Sequence, residues 1–132
     1  MQDELFSVDD QVTLVSGGSR GIGFELARGF ALRGAKVIIT GRDEATLAKA
    51  AEELSQNAQT VTPIVCDVLQ IEEIRCCVDT ILSAFGRIDT LINVAGVNKR
   101  QAVEKFTVEE YDFIVDVNLK GAFFMSQEVG KR

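Results

Sequence analysis

Short apolar runs alternate along the chain with longer stretches in which apolar residues recur every three or four positions. Residues 12–15 form a β-branched run that predicts a strand, and residues 36–40 form a second one. Between them, a glycine-rich segment at residues 16–23 leads into helix-forming residues at 24–32. The continuous apolar character of the second run indicates a strand that is buried on both faces.

The same alternation continues through the middle of the chain. Asp43 is suited to the N-cap of a second helix. Residues 61–65 predict a third strand, and Pro63 within it favours the edge of the sheet because proline cannot donate a ladder hydrogen bond. A third helix is predicted at residues 71–85 and a fourth strand at residues 89–94.

The last part of the chain is predicted to be helical. Thr107 and Glu110 form a capping-box pattern, and the helical signal then continues to the terminus, loosened at residues 118–121. Strands that alternate with helices imply parallel strands joined by right-handed crossovers, and therefore a three-layer α/β sandwich. Ligands bind such a sheet outside the carboxyl ends of its strands.

Composition and charge exclude several functional classes. The chain has 132 residues, of which 46% are hydrophobic and 26% charged, as expected for one globular domain at residues 1–132. The net charge is −6 and the 14 Lys and Arg residues are scattered, which argues against binding to nucleic acid or an anionic membrane. The acidic first ten residues do not resemble a signal peptide, and no run of about eighteen apolar residues occurs, so we expect a cytoplasmic protein.

The cysteines and the missing histidine limit the chemistry further. Cys66, Cys76 and Cys77 do not have the spacing of metal ligands, so we expect no metal site and reduced, partly buried thiols. Without histidine the chain offers no imidazole base for serine or cysteine nucleophiles. Proton transfer must therefore use another type of residue.

The glycine-rich segment is the strongest candidate binding site. It follows a predicted strand and opens a helix, so its glycines allow a tight turn in which backbone N–H groups approach a pyrophosphate. A merely structural turn is the alternative interpretation. The residues that we assign to phosphate binding are Gly17, Ser19, Arg20, Gly21, Ile22 and Gly23.

Three motifs resemble those of the short-chain dehydrogenase/reductase family. The glycine segment is similar to T-G-x-x-x-G-I-G, with Ser16 in place of threonine. Asn-Val-Ala-Gly at residues 93–96 resembles N-N-A-G, and residues 118–121 resemble the segment of the active-site asparagine. The resemblance implies the first half of a Rossmann-type doubly wound sheet with strand order 3-2-1-4. Within the family, the chain looks most like gluconate 5-dehydrogenase and 3-oxoacyl-carrier-protein reductase members.

The resemblance also implies roles for individual residues. Asn93 would stabilise the central strand, while Ala95 and Gly96 would pass close to the ribose on the nicotinamide side. Asp67 and Val68 would lie against the adenine, although Asp67 has the alternative interpretation of a strand-end cap. The last assignment is that Asn118 would support a proton relay in catalysis.

The family's catalysis is hydride transfer between nicotinamide and a small carbonyl or alcohol substrate, with a tyrosine, a lysine four residues later and a serine. Tyr111 is followed four residues on by Val115, so we expect it to be a helix residue packed against its neighbours. The resemblance therefore implies a parent about twice as long, a homo-oligomer, of which this chain is the incomplete N-terminal half. The alternative is a catalytically inactive dinucleotide-binding or interaction module.

Cofactor preference is encoded at the end of the second strand. NAD enzymes usually have a carboxylate there for the ribose 2′-OH, whereas NADP enzymes have an arginine nearby. This chain has Gly41 followed by Arg42, and Arg20 could add a second guanidinium, so we expect NADP rather than NAD. Two solvated surface arginines are the alternative, and Asp43 could serve as a ribose ligand instead of a helix cap.

Overall fold

Four parallel strands form one sheet in the order β3-β2-β1-β4. The computed structural model describes residues 4–132. The strands are β1 Val12–Ser16, β2 Lys36–Gly41, β3 Thr62–Val65 and β4 Thr90–Asn93. Val12 lies opposite Lys36 in the pairing of the two central strands, and Ser16 lies opposite both Thr40 and Asn93. The predicted strand order and the edge position of the strand that carries Pro63 are confirmed.

The helices connect and flank the strands. They are α1 Gly21–Ala31, α2 Glu44–Ser55, α3 Ile71–Phe85, α4 Val108–Val115 and α5 Ala122–Gly130. Short 3₁₀ turns lie at Glu4–Phe6 and Val103–Lys105, and a π-helical segment, Asp116–Gly121, joins α4 to α5. This segment includes the residues at which the sequence predicts a loosened helix. No helix within residues 4–132 combines the length and the apolarity needed to cross a bilayer.

Apolar side chains on both faces of the sheet make the two outer layers pack against it. On one face Leu14 and Ile38 pack in a cluster with Ile74 and Val78 of α3. On the other face Val15 and Ile39 pack with residues of α1 and α2, such as Ala27 and Leu47. Because β1 and β2 are covered on both sides, their sequences are almost continuously apolar. The predicted three-layer α/β sandwich is therefore confirmed.

Side-chain caps fix where two of the helices begin. The Oδ1 atom of Asp43 accepts a hydrogen bond from the Thr46 N–H at 2.7 Å, so Asp43 caps α2. Thr107 and Glu110 form the predicted capping box at the start of α4. These caps set the directions in which both helices leave the loops at the carboxyl edge of the sheet.

Candidate functional site

A cleft lies at the carboxyl ends of the strands, at the point where the strand order reverses between β1 and β4. Its volume is about 290 Å³, and an adjoining cavity of about 380 Å³ shares Ser19, Arg20 and Arg42 with it. The cleft is lined by the loops that follow all four strands and by the π-helical segment: Gly17, Ser19, Arg20, Ile22, Thr40, Gly41, Arg42, Cys66, Asp67, Val68, Val94, Ala95, Gly96, Val97 and Val117. Its position is that of a ligand site in an open α/β sheet.

Glycines allow the loops after β1 and β4 to meet. Gly17 has a φ of 88°, and a Cβ atom there would lie 2.5 Å from the Ala95 nitrogen. A Cβ atom at Gly23 would collide with the Gly17 carbonyl oxygen, so this glycine serves the packing of α1 on the loop. Because Gly17 has no side chain, the two loops form one continuous wall of backbone.

The first turn of α1 presents unpaired donors beside this wall. The N-cap, Arg20, makes no side-chain capping bond. The N–H groups of residues 21–23 have no backbone acceptor among the described residues. A helix N-terminus with free N–H groups carries partial positive charge and suits an anion.

Two arginines form the rim between the two cavities. Arg20 and Arg42 line both cavities, and neither side chain has a hydrogen bond or ion pair within the part of the chain that the structure describes. Gly41 leaves the end of β2 without a side chain, and the hydroxyl of Ser19 would lie 3.4 Å from a Cβ atom there. The two guanidinium groups are therefore available to a ligand.

One carboxylate lies at the same rim. Asp43 lines the adjoining cavity, and hydrogen bonds from the side chain and backbone of Thr46 hold the pKa of Asp43 below its usual value. Its cap role, one of the two interpretations offered by the sequence, is confirmed. Two guanidinium groups and this ionised carboxylate give the rim a net charge of +1.

The opposite end of the cleft is formed by the loop after β3. The Oδ1 atom of Asp67 accepts a hydrogen bond from the Leu69 N–H at 3.0 Å, so the carboxylate caps its own loop. Asp67 also lines the cleft together with Val68. Contact of these two residues with a ligand stays a prediction. A Cβ atom at Gly121 would lie 2.9 Å from the Val68 Cβ, so the π-helical segment packs closely on this loop.

Two asparagines hold the end of β4 and the loop after it in place without lining the cleft. The Asn93 Nδ2 atom donates to the Ser126 hydroxyl at 2.9 Å and so ties β4 to α5. The Asn118 Oδ1 atom accepts from the Val97 N–H at 2.7 Å, and its Nδ2 atom donates to the Val97 carbonyl at 2.9 Å. Both polar ends of the Asn118 side chain therefore bind the loop after β4.

The structure brings most of the predicted site residues to the cleft. Gly21, Gly23, Asn93 and Asn118 do not line it, although they shape the loops that do. Sequence reasoning missed the lining residues Thr40, Cys66, Val94, Val97 and Val117. Most of these directly precede or follow a predicted site residue, and that adjacency is the signal that could have identified them.

Two expectations about side chains need correction. Tyr111 belongs to α4, but it is 63% exposed, because α4 lies at the periphery and has no buried residue. Cys76 is exposed rather than partly buried, since it lies on the outer face of α3, whereas Cys66 and Cys77 are buried free thiols. Within residues 4–132, no group of three or more Cys, Asp or Glu residues is placed to hold a metal ion.

Comparison with known proteins identifies the family. Residues 11–132 match the family model described as short chain dehydrogenase. Gluconate 5-dehydrogenase of Gluconobacter oxydans is 34% identical over 128 residues, which cover 97% of this chain and 50% of that protein. The crystal structure of a short-chain type dehydrogenase/reductase from Mycobacterium marinum superposes with a TM-score of 0.93 at 31% identity, covering 97% of this chain and 52% of that one.

A further solved structure contains a nicotinamide dinucleotide. A variant of actinorhodin polyketide ketoreductase with NADPH is similar at a TM-score of 0.89 and 31% identity, over 92% of this chain and 47% of that one. The chain spans about half the length of the curated relatives it matches. The glycine loop, the cleft and the match to the family model agree, and the chain therefore belongs to the short-chain dehydrogenase family.

Proposed function

We propose that this chain is the NADP-binding half of an oxidoreductase that transfers a hydride between nicotinamide and a small carbonyl or alcohol substrate. The observation that carries the proposal is the pair of unpartnered guanidinium groups, Arg20 and Arg42, on either side of the side-chain-free end of β2. A 2′-phosphate needs positive charge at that place, and an NAD enzyme would usually offer a carboxylate there.

The shape of the cleft supports a dinucleotide as the ligand. The backbone wall around Gly17 and the free N–H groups at the start of α1 suit a pyrophosphate. The adenine would lie toward Asp67 and Val68, and the nicotinamide-side ribose toward Ala95 and Gly96. The two adjoining cavities have the size range of small-molecule sites, about 300–1,000 Å³.

We assign Asn118 a supporting role in catalysis. Its side chain is bound at both polar ends to Val97, which lines the cleft, so it fixes the loop beside which the nicotinamide would lie. Bound NADPH would supply the hydride, and the reactive carbonyl would be held near this loop. The side chain of Asn118 is already hydrogen-bonded to Val97. A proton relay that includes Asn118 would therefore use its backbone groups in the π-helical segment.

Direct titration tests the cofactor preference. We expect the full-length protein to bind NADPH more tightly than NADH when the fluorescence of the reduced dinucleotide is followed. Steady-state assays with carbonyl substrates then test the reaction: NADPH oxidation supports the oxidoreductase. Binding without turnover across sugar, polyol and acyl thioester substrates would favour the catalytically inactive binding module instead.

We propose a homo-oligomer in the cytoplasm as the form in which the protein acts.

A further inference from the structure

An acidic side chain lies in the cavity that adjoins the cleft. The described residues that line this cavity are Ser19, Arg20, Arg42, Asp43 and Thr46. Asp43 is the acid among them, and it lines this cavity but not the main cleft. The two guanidinium groups that we propose for a 2′-phosphate therefore share their cavity with one carboxylate.

The helix cap keeps this carboxylate at the cavity. Asp43 precedes α2, and its Oδ1 atom accepts a hydrogen bond from the Thr46 N–H at 2.7 Å. This bond fixes the side chain at the start of α2, where the backbone of Asp43 is extended, with φ −94° and ψ 112°. Because hydrogen bonds from Thr46 hold the pKa of Asp43 below its usual value, the carboxylate is charged at neutral pH.

The charge of Asp43 is not cancelled by its neighbours. Within residues 4–132, Asp43 forms no ion pair with Arg20 or Arg42. The partial positive charge of the helix N-terminus favours a carboxylate there. The capping bond itself needs only a side-chain oxygen, which asparagine and serine supply about as well as aspartate. Substitution can therefore remove the charge and keep the cap.

A negative charge at this place acts on only one of the two cofactors. A 2′-phosphate carries about 1.5 to 2 negative charges at pH 7, whereas the 2′-OH of NADH is uncharged. Asp43 therefore repels the group that Arg20 and Arg42 attract. We propose that Asp43 is a specificity-determining residue that weakens NADPH binding and so narrows the difference between the affinities for NADPH and NADH; this inference rests on the proposed function.

The expected effect is small because the site is open to water. Asp43 is exposed, and interactions between exposed charges are weak and are screened by salt. Removing the charge should raise NADPH affinity about threefold to fivefold. The gain should shrink as the ionic strength rises from about 0.01 M to about 1 M, because the Debye length then falls from about 30 Å to about 3 Å.

Neutral capping residues in the full-length protein test the inference. In Asp43→Asn, and independently in Asp43→Ser, fluorescence titration should show NADPH bound about threefold to fivefold more tightly and NADH bound as in the unaltered protein. Calorimetric titration with adenosine 2′,5′-bisphosphate and with 5′-AMP locates the effect, because these ligands differ only in the 2′-phosphate. Affinity should rise for the bisphosphate alone. Thermal melts verify that both variants are folded.

The matched control is Glu52→Gln, which removes the same charge from α2. Glu52 is exposed, lines neither cavity and lies nine residues after Asp43, which is about 13 Å along a helix axis. This separation exceeds the Debye length of about 10 Å at 0.1 M salt. The control should therefore leave both affinities unchanged at that ionic strength.

The outcomes separate this inference from the proposed function. NADPH affinity that stays the same or falls in both folded Asp43 variants overturns the inference. An equal gain for NADH, for 5′-AMP or in the Glu52→Gln control overturns it as well, because the 2′-phosphate is then not the group that Asp43 repels. An unaltered protein that binds NADPH no more tightly than NADH contradicts the proposed NADP preference instead, and the change in NADPH affinity between that protein and its Asp43 variants is measured independently of it.

Discussion

Replacing Arg42 by aspartate should reverse the cofactor preference. The change removes one of the two guanidinium groups at the rim and introduces a carboxylate one residue after Gly41, next to the end of β2. With Arg20 and Asp43 unchanged, the net charge of the rim goes from +1 to −1. A 2′-phosphate is then repelled, whereas the 2′-OH of NADH gains an acceptor.

The expected loss of NADPH affinity follows from the exposure of Arg42 and from its lack of partners within the described residues. Arg42 is exposed and its side chain makes no hydrogen bond or ion pair within residues 4–132, so its replacement breaks neither kind of interaction in the protein. A hydrogen bond to a charged group contributes about 1.5–3 kcal/mol. Because the site is open to water, we take the lower half of that range. NADPH affinity should fall about tenfold to fortyfold, at about 1.4 kcal/mol for each factor of ten.

Fluorescence titrations of NADPH and NADH at low and moderate salt measure both affinities. The matched control is Lys49→Glu, which makes the same change of charge on α2 away from both cavities. It should leave the ratio of the two affinities unchanged. Equal affinities for NADPH and NADH in the unaltered protein, or an unchanged ratio in the Arg42→Asp variant, would refute the reasoning.

Three further changes test the shape of the site and the loop after β4. Gly17→Ala should weaken NADPH binding and lower the melting temperature, because the new Cβ atom would lie 2.5 Å from a backbone nitrogen of the loop after β4. The control, Gly29→Ala, should do neither, because its Cβ atom would meet only open space and a flexible side chain. Asn118→Ala removes both hydrogen bonds to that loop, so turnover should fall more than NADPH affinity does, and equal losses would contradict the assigned role. Hydrogen bonding to Lys99 lowers the pKa of Glu110 to about 2 from 4.5. Its folded-state pKa is depressed, so its contribution to stability is present above about pH 4.5 and is lost as the pH falls toward 2. Urea unfolding across this range should show a shallower pH dependence for Glu110→Gln, and an unchanged slope would refute the contribution.

The sheet could be predicted from the sequence because its signals are local. The apolar runs, the edge proline Pro63 and the caps Asp43 and Thr107 each act within a few residues, and family resemblance supplied the order of the strands. The start of α1 was placed three residues late, since Gly21 and Gly23, in its first turn, are poor helix formers. Local chemistry therefore identified the elements better than their ends.

The interior of the site was less predictable because it depends on contacts between distant residues. Nothing in the sequence indicates that both polar atoms of the Asn118 side chain form hydrogen bonds with Val97, 21 positions away. Val117 lines the cleft as an ordinary apolar residue, so it carries no chemical signal. Helical spacing predicted a packed Tyr111, but periodicity cannot show that a helix has no neighbour on one side.

The π-helical segment has a consequence for how the two ends of the cleft are related. Its wider turn directs Asn118 to the loop after β4 and Gly121 to the loop after β3, so the two contacts lie three positions apart along the chain. The spacing between the loops after β3 and β4, at the two ends of the cleft, is therefore set by this one segment. Inserting or deleting a residue in it would misalign both loops at once, and the cleft would lose its fit to a ligand of fixed length.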